Sequence, residues 1–221
     1  MSVPTMLVVA KAPVAGLAKT RLAVTVGDIA AARIAAAALL DTLDVASDLG
    51  WPVVIAMTGD IARAEYGNEI TEALAGHTVL DQRGHNFAER LVHAHADADA
   101  GCGVVQIGMD TPQLRVAQLR AAGEALDTHG AALGMAVDGG WWALAVRSSA
   151  LARVLLDVPM STDHTGMLTR DALERDGTSV ATLTTMTDVD VWADALAVAQ
   201  LAPDSRCAIE VSKSTALMEV P

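Results

Sequence analysis

Apolar runs of strand length alternate with longer stretches of helical periodicity along most of the 221-residue chain. The run at 5–10 (Thr-Met-Leu-Val-Val-Ala) is continuously apolar, as suits a strand covered on both faces. Residues 28–48, rich in Ala and Leu with Asp at 41, 44 and 48, predict one long helix. Further strands are expected at 52–57, 77–80 and 103–108, and helices at 60–74, 86–98 and 113–128. Two strand-like runs, 131–137 and 141–146, flank Asp138-Gly139-Gly140. Helices at 148–156 and 165–175, a strand at 179–185 and a helix at 190–201 complete the series. Such alternation implies right-handed crossovers and a mostly parallel sheet covered by helices, a three-layer Rossmann-like α/β/α fold. Residues 1–202 read as one domain. The tail 203–221 lacks clear periodicity and is expected to be ordered by its own core or by the second subunit of a homodimer.

Composition narrows the partners. Apolar residues make up 52% of the chain and charged residues 19%, enough for a sizeable core and unlike a disordered protein. A net charge of −12 argues against nucleic acid and against anionic membrane surfaces. The longest apolar stretch, around 29–40, contains Arg33 and falls short of the roughly 18 uninterrupted apolar residues of a span, so no integral membrane contact is expected. No basic-then-apolar leader opens the sequence, and a cytoplasmic location is expected. Cys102 and Cys207 have neither metal-site nor disulfide spacing and read as small buried residues.

In parallel α/β sheets, ligands bind beyond the carboxyl ends of the strands, so the loops there are the places to look for chemistry. After the first strand comes Lys11-Ala-Pro13-Val-Ala-Gly16-Leu-Ala-Lys19-Thr20-Arg21, which holds two of the three lysines and no acid. In an acidic protein this is a local reversal of sign. Its Pro and Gly favour an irregular loop whose amides can face an anion, although it is no Walker A motif. After the fourth strand, Gly108-Met-Asp110-Thr-Pro112 places an acid where it could hold Mg²⁺; the same residues also suit a simple helix cap. Asp138 sits beside a flexible turn that could equally be an ordinary hairpin. Asp188 and Asp190 follow the last strand, and Asp190 could equally cap the final helix. Together, a cationic loop and acids at other strand ends describe a metal-diphosphate site. His93 and His95 lie two apart on a helix and make a poor metal pair, and His164 beside Asp163 is a general-base or acceptor-contact candidate.

The order Lys11-x-Pro13-x-x-Gly16-x-x-Lys19-Thr20-Arg21-Leu22, Gly108-x-Asp110-x-Pro112, Asp138-Gly139-Gly140, Ser161-Thr162-Asp163 and Asp188-Val-Asp190 resembles the nucleotide-diphospho-sugar transferase superfamily, with its GT-A fold and mixed sheet. Within it, the chain is most similar to the small bacterial "transferase 1" family associated with radical-SAM and selenodomain proteins. The resemblance spans about residues 5–201 and implies that Lys11, Gly16, Lys19, Thr20 and Arg21 bind nucleotide phosphates. It gives a divalent metal, Mg²⁺ or Mn²⁺, to Asp110 and Asp190, the nucleotide base to Gln82 and Gly84, and the acceptor or sugar to Gly139, Gly140, Trp141 and His164. Met160 replaces the family's usual Trp before Ser161, and Trp141 and Trp142 replace its usual tyrosines.

The expected reaction is glycosyl transfer from a nucleotide-diphospho sugar to a small-molecule acceptor. Asp110 and Lys19 would act on the leaving diphosphate, and Asp138 or Asp163 would be the base. Two alternatives stand beside it. One is nucleotidyl transfer of the guanylyltransferase kind, activating a small phosphorylated metabolite with release of pyrophosphate. The other is a non-catalytic nucleotide-binding domain.

Overall fold

A computed structural model describes residues 3–218 of the chain. Seven strands, β1 (Thr5–Lys11), β2 (Val53–Thr58), β3 (Thr78–Asp81), β4 (Val104–Ile107), β5 (Ala131–Ala136), β6 (Trp141–Val146) and β7 (Val180–Met186), form one sheet. Their order is β3-β2-β1-β4-β6-β5-β7. All neighbours pair in parallel except β6, which runs antiparallel to both β4 and β5. The sheet is thus mixed and mostly parallel, and the strands end where the apolar runs end. β1 is buried from Thr5 to Ala10, as its unbroken apolar run requires.

The helices are α1 (Thr20–Val26), α2 (Asp28–Asp48), α3 (Gly67–Leu74), α4 (Phe87–Ala98), α5 (Val116–Glu124), α6 (Thr165–Arg175), α7 (Trp192–Leu201) and α8 (Arg206–Met218). One apolar cluster joins α2, α3 and α5 to one sheet face. A second joins α4, α6 and the 3₁₀ segment Ser149–Asp157 to the other. α2 is apolar almost all round because it is covered on two sides. Leu39, Leu40 and Leu43 pack with residues of the sheet, while Ile34, Ala37 and Ala38 pack against Cys207 and Val211 of α8 and Val198 of α7. No helix of the described residues is long and apolar enough to cross a membrane.

Several local expectations need correction. The 60–74 helix is broken into a 3₁₀ turn, Ile61–Arg63, and α3, with Tyr66 left-handed (φ 54°) between them. The 113–128 helix begins only at Val116 and ends in a 3₁₀ turn, Ala125–Asp127. Residues 149–157 form a 3₁₀ helix in place of the expected α-helix. Residues 206–218, read as lacking periodicity, form α8. Its buried side is made of Cys207, Ala208, Glu210, Val211 and Ser214, too small or polar to register as an apolar stripe. Cys207 is buried as expected, whereas Cys102 is only half-buried.

Candidate active site

The chain runs outward from β1 to β2 and β3, then crosses to β4 on the other side of β1, so the order reverses between β1 and β4. Loops leaving those two strands part around a crevice, the usual ligand site of such sheets. β5 and β7 run parallel to β1, so their carboxyl ends share its edge, and antiparallel β6 begins there. A cleft of about 750 Å³ opens at this edge. Of the expected site residues, Lys11, Lys19, Thr20, Arg21, Gln82, Asp110, Asp138, Gly140, Trp141, Asp163 and Asp190 line it. Gly16, Gly84, Gly139 and His164 are not on its wall.

The β1 loop delivers its cations differently. Lys11 folds back, donating from Nζ to the Leu17 carbonyl (2.7 Å), and so braces the loop. Lys19 caps α1 in a left-handed conformation (φ 49°), a strained choice for a residue with a side chain. Its ammonium lies 2.7 Å from Asp110 Oδ2 with its side chain only 14% exposed. Burial pulls the Lys19 pKa down, but contact with Asp110, joined by Asp188 and Asp190, outweighs it, and the net shift is upward. Arg21 reaches from the rim to Asp190 Oδ2 at 2.5 Å.

The acids are gathered by backbone stitching. Val189 N–H donates to the Asp110 carbonyl (2.9 Å), tying the loop after β7 to the loop after β4. Gln113 Nε2 holds the Thr187 carbonyl from the same side. Asp188 therefore faces Asp110 and Asp138. Burial first, then these two carboxylates, push its pKa up to about 6 against the opposing pull of Lys19. Asp188 was noted in the sequence only as a companion of Asp190, and the structure makes it the acid in the more demanding environment. Among the described residues, no three His, Cys, Asp or Glu side chains gather as a ready-made metal cage.

The β5–β6 turn packs against the loop before α6. Gly166 N–H donates to the Gly139 carbonyl (2.8 Å), and Asp138 Oδ1 accepts from Gly140 N–H (2.8 Å). Gly139 has φ +90°, and a Cβ there would run into the Asp163 carbonyl. The structure thus joins two motifs that lie far apart in sequence. Ser161, at φ 61°, borders the cleft as Lys19 does, so two of the three left-handed non-glycine residues among those described are on its wall. His164 is exposed, 3.6 Å from Asp163.

Gln82 spends its amide N–H groups on the Ala10 and Ala56 carbonyls (2.8 and 2.9 Å), bracing the ends of β1 and β2 and leaving its oxygen for a ligand. Gly84 instead packs under the start of α4, where a Cβ would sit 2.7 Å from that of Glu89. His93 and His95 do face different surroundings: His93 meets the Arg83 carbonyl, and His95 is fully buried against Gln106. Reading the sequence missed Arg90, Gln106 and Phe87, which line the α4 side of the cleft. Gln106 carried a signal, a polar residue inside the apolar run 103–108; Arg90, on an amphipathic helix, carried none.

Among solved structures, the chain is similar to a candidate nucleotide-diphospho-sugar transferase from Desulfovibrio desulfuricans G20. The TM-score is 0.86 and the identity 26%, over 98% of this chain and 97% of that one. Rv0371c from Mycobacterium tuberculosis H37Rv, also solved as a complex with manganese, shares the fold. That complex has a TM-score of 0.56 and 19% identity, with 89% and 98% of the chains covered. A 4-diphosphocytidyl-2C-methyl-D-erythritol synthase shares it too, with TM-score 0.60 and 13% identity over 91% and 99%. These pairings place the sheet among GT-A and nucleotidyltransferase folds. No curated protein matches the sequence. A family profile described as "Uncharacterized protein conserved in bacteria (DUF2064)" matches residues 39–162, more than half of the sequence. The chain belongs to the DUF2064 family.

Proposed function

We propose that the protein is a transferase that takes a glycosyl group from a nucleotide-diphospho sugar and delivers it to a small-molecule acceptor. The observation that carries this reading is the Lys19–Asp110 pair, a cation from the β1 loop and an acid from the β4 loop meeting at the switch point of the sheet. The likeness to the Desulfovibrio protein along nearly the whole chain supports the same choice. Lys19 and Arg21 would hold the diphosphate and stabilise the charge that develops on it as the sugar leaves. Asp138 and Asp163 are the cleft acids beside the β5–β6 turn, suited to accept the proton of an acceptor hydroxyl.

A divalent cation belongs to the proposal. Asp188 lies near Asp110 and Asp138, and burial first, then the charge of these two carboxylates, raises its pKa, with the Lys19 ammonium beside Asp110. The hard oxygen donors of two neighbouring carboxylates fit Mg²⁺ or Mn²⁺. Such ions commonly take one or two carboxylates and complete their shell with phosphate oxygens and water, so a closed protein cage is not required. Asp110 and Asp188 would hold the ion. Asp190, the other expected ligand, is engaged by Arg21. When bound, the cation supplies positive charge to the diphosphate leaving group. Lys19 fixes the direction of the Asp110 carboxylate.

The test is the leaving group. The purified protein is incubated with Mg²⁺ or Mn²⁺ and either nucleotide sugars or nucleoside triphosphates, across a panel of acceptors. Release of a nucleoside diphosphate from a nucleotide sugar is expected. Pyrophosphate release from a triphosphate would overturn this reading in favour of nucleotidyl transfer. Metal-independent binding without turnover would leave a nucleotide-binding domain.

A further inference from the structure

The α4 side of the cleft has a chemistry of its own. Seven of the twelve arginines have no carboxylate partner among the described residues, and six of those are exposed; Arg90 is the exception. It is half-buried on the first turns of α4 and lines the cleft. A partly desolvated guanidinium without an ion pair is a costly arrangement in the absence of a ligand.

Gln106 lies across from it on β4, 3% exposed. Its Oε1 accepts from His95 Nε2 (2.8 Å), which turns the amide nitrogen away from the histidine. Among the described residues that nitrogen has no partner, and it is not sealed from solvent, so it faces the cleft that Gln106 lines. Buried His95 stays neutral, with its pKa lowered to about 4, and its Nε2–H tautomer is the one that meets Gln106 Oε1. Trp141, from β6, lines the same wall with its ring, while its indole N–H is sealed from solvent.

Guanidinium and amide NH₂ both donate and neither accepts. No carboxylate from α4, β4 or β6 lines the cleft, and the acids of the diphosphate region come from other loops. We propose that Arg90 and Gln106, beside the Trp141 ring, form an oxyanion subsite that binds a carboxylate or phosphate group on the acceptor substrate. This rests on reading the cleft as a transferase site, with the donor diphosphate at Lys19. The planar guanidinium suits bidentate contact with either anion. The acceptor is thus an anionic small molecule.

The test uses ¹H–¹⁵N spectra of the whole protein titrated with inorganic phosphate and, separately, with malonate. The Trp141 indole resonance, assigned with Trp141→Phe, reports the subsite, and amides of residues 11–21 report the β1 loop. Either anion should move the Trp141 signal saturably, and Arg90→Gln should weaken that response about tenfold or more. Lys19→Gln should leave it intact while suppressing the β1-loop shifts. Tighter phosphate binding identifies a phosphorylated acceptor, and tighter malonate binding a carboxylic acid. Should Arg90→Gln fail to fold, Arg90→Lys keeps the charge without the fork and should bind several-fold more weakly. An unmoved Trp141 signal, or wild-type affinity in these Arg90 variants, would overturn the subsite. Trp141 shifts without any β1-loop shift would count against the nucleotide reading and leave the anion subsite standing.

Discussion

Gly139 carries a demand that most loop glycines do not. Its φ of +90° strains any other residue, and a Cβ would also strike the Asp163 backbone. Gly177 has a similar φ of +80° but open space around it. Gly139→Ala should therefore lower stability by more than Gly177→Ala, which should cost about 1 kcal/mol, as read by denaturant unfolding. Equal losses would mean that the two loops are not pressed together. His95 makes a pH prediction. Its folded pKa, about 4, lies below its ordinary 6.5, so the unfolded chain binds more protons between those values. The stability contribution is complete above pH 6.5 and falls as pH drops through that window towards 4, by up to about 3 kcal/mol. Melting temperatures across the window should show this loss in the wild type and a smaller one in His95→Gln, whose amide can still donate to Gln106.

At the scale of elements, the strands and α2 were legible because their apolar runs are long and their ends are marked by charge, Gly or Pro. Hairpin pairing at Asp138-Gly139-Gly140 was one of two readings, since a turn and a ligand loop use the same residues. The structure makes it both a turn and a wall of the cleft. α8 escaped notice because it is written in small and polar side chains, and what orders it is α2. Asp41 of α2 accepts from the Arg206 and Cys207 amides (3.1 and 2.9 Å), capping α8 from outside, and Arg206 returns to Asp41 and Asp44. Asp41 has a raised pKa because burial outweighs these contacts, so the cap is bought with desolvation. Asp41→Ala should still cost about 1–2 kcal/mol, seen as a lower Tm, because it orphans buried amides. An unchanged Tm would show that packing alone fixes α8.

For the molecule as a whole, six of seven strands point their carboxyl ends at one edge, and residues from the loops after β1, β4, β5 and β7 meet there. The sequence showed the cationic loop and the acids but not which would pair. Which acid faces Lys19 depends on the crossover from β3 to β4 and on the Val189–Asp110 backbone bond, both long-range. The cleft is acidic yet keeps Lys19 buried and charged, a setting suited to a small anionic ligand accompanied by a cation. The most direct measurement is calorimetric titration of nucleoside diphosphates into wild-type protein and Lys19→Met, with and without Mn²⁺. At least one nucleotide should bind the wild type more tightly when Mn²⁺ is present. Lys19→Met should weaken that binding about tenfold or more, the loss of a charge-assisted contact. Equal affinity in the two proteins, or no nucleotide bound under either condition, would contradict the account.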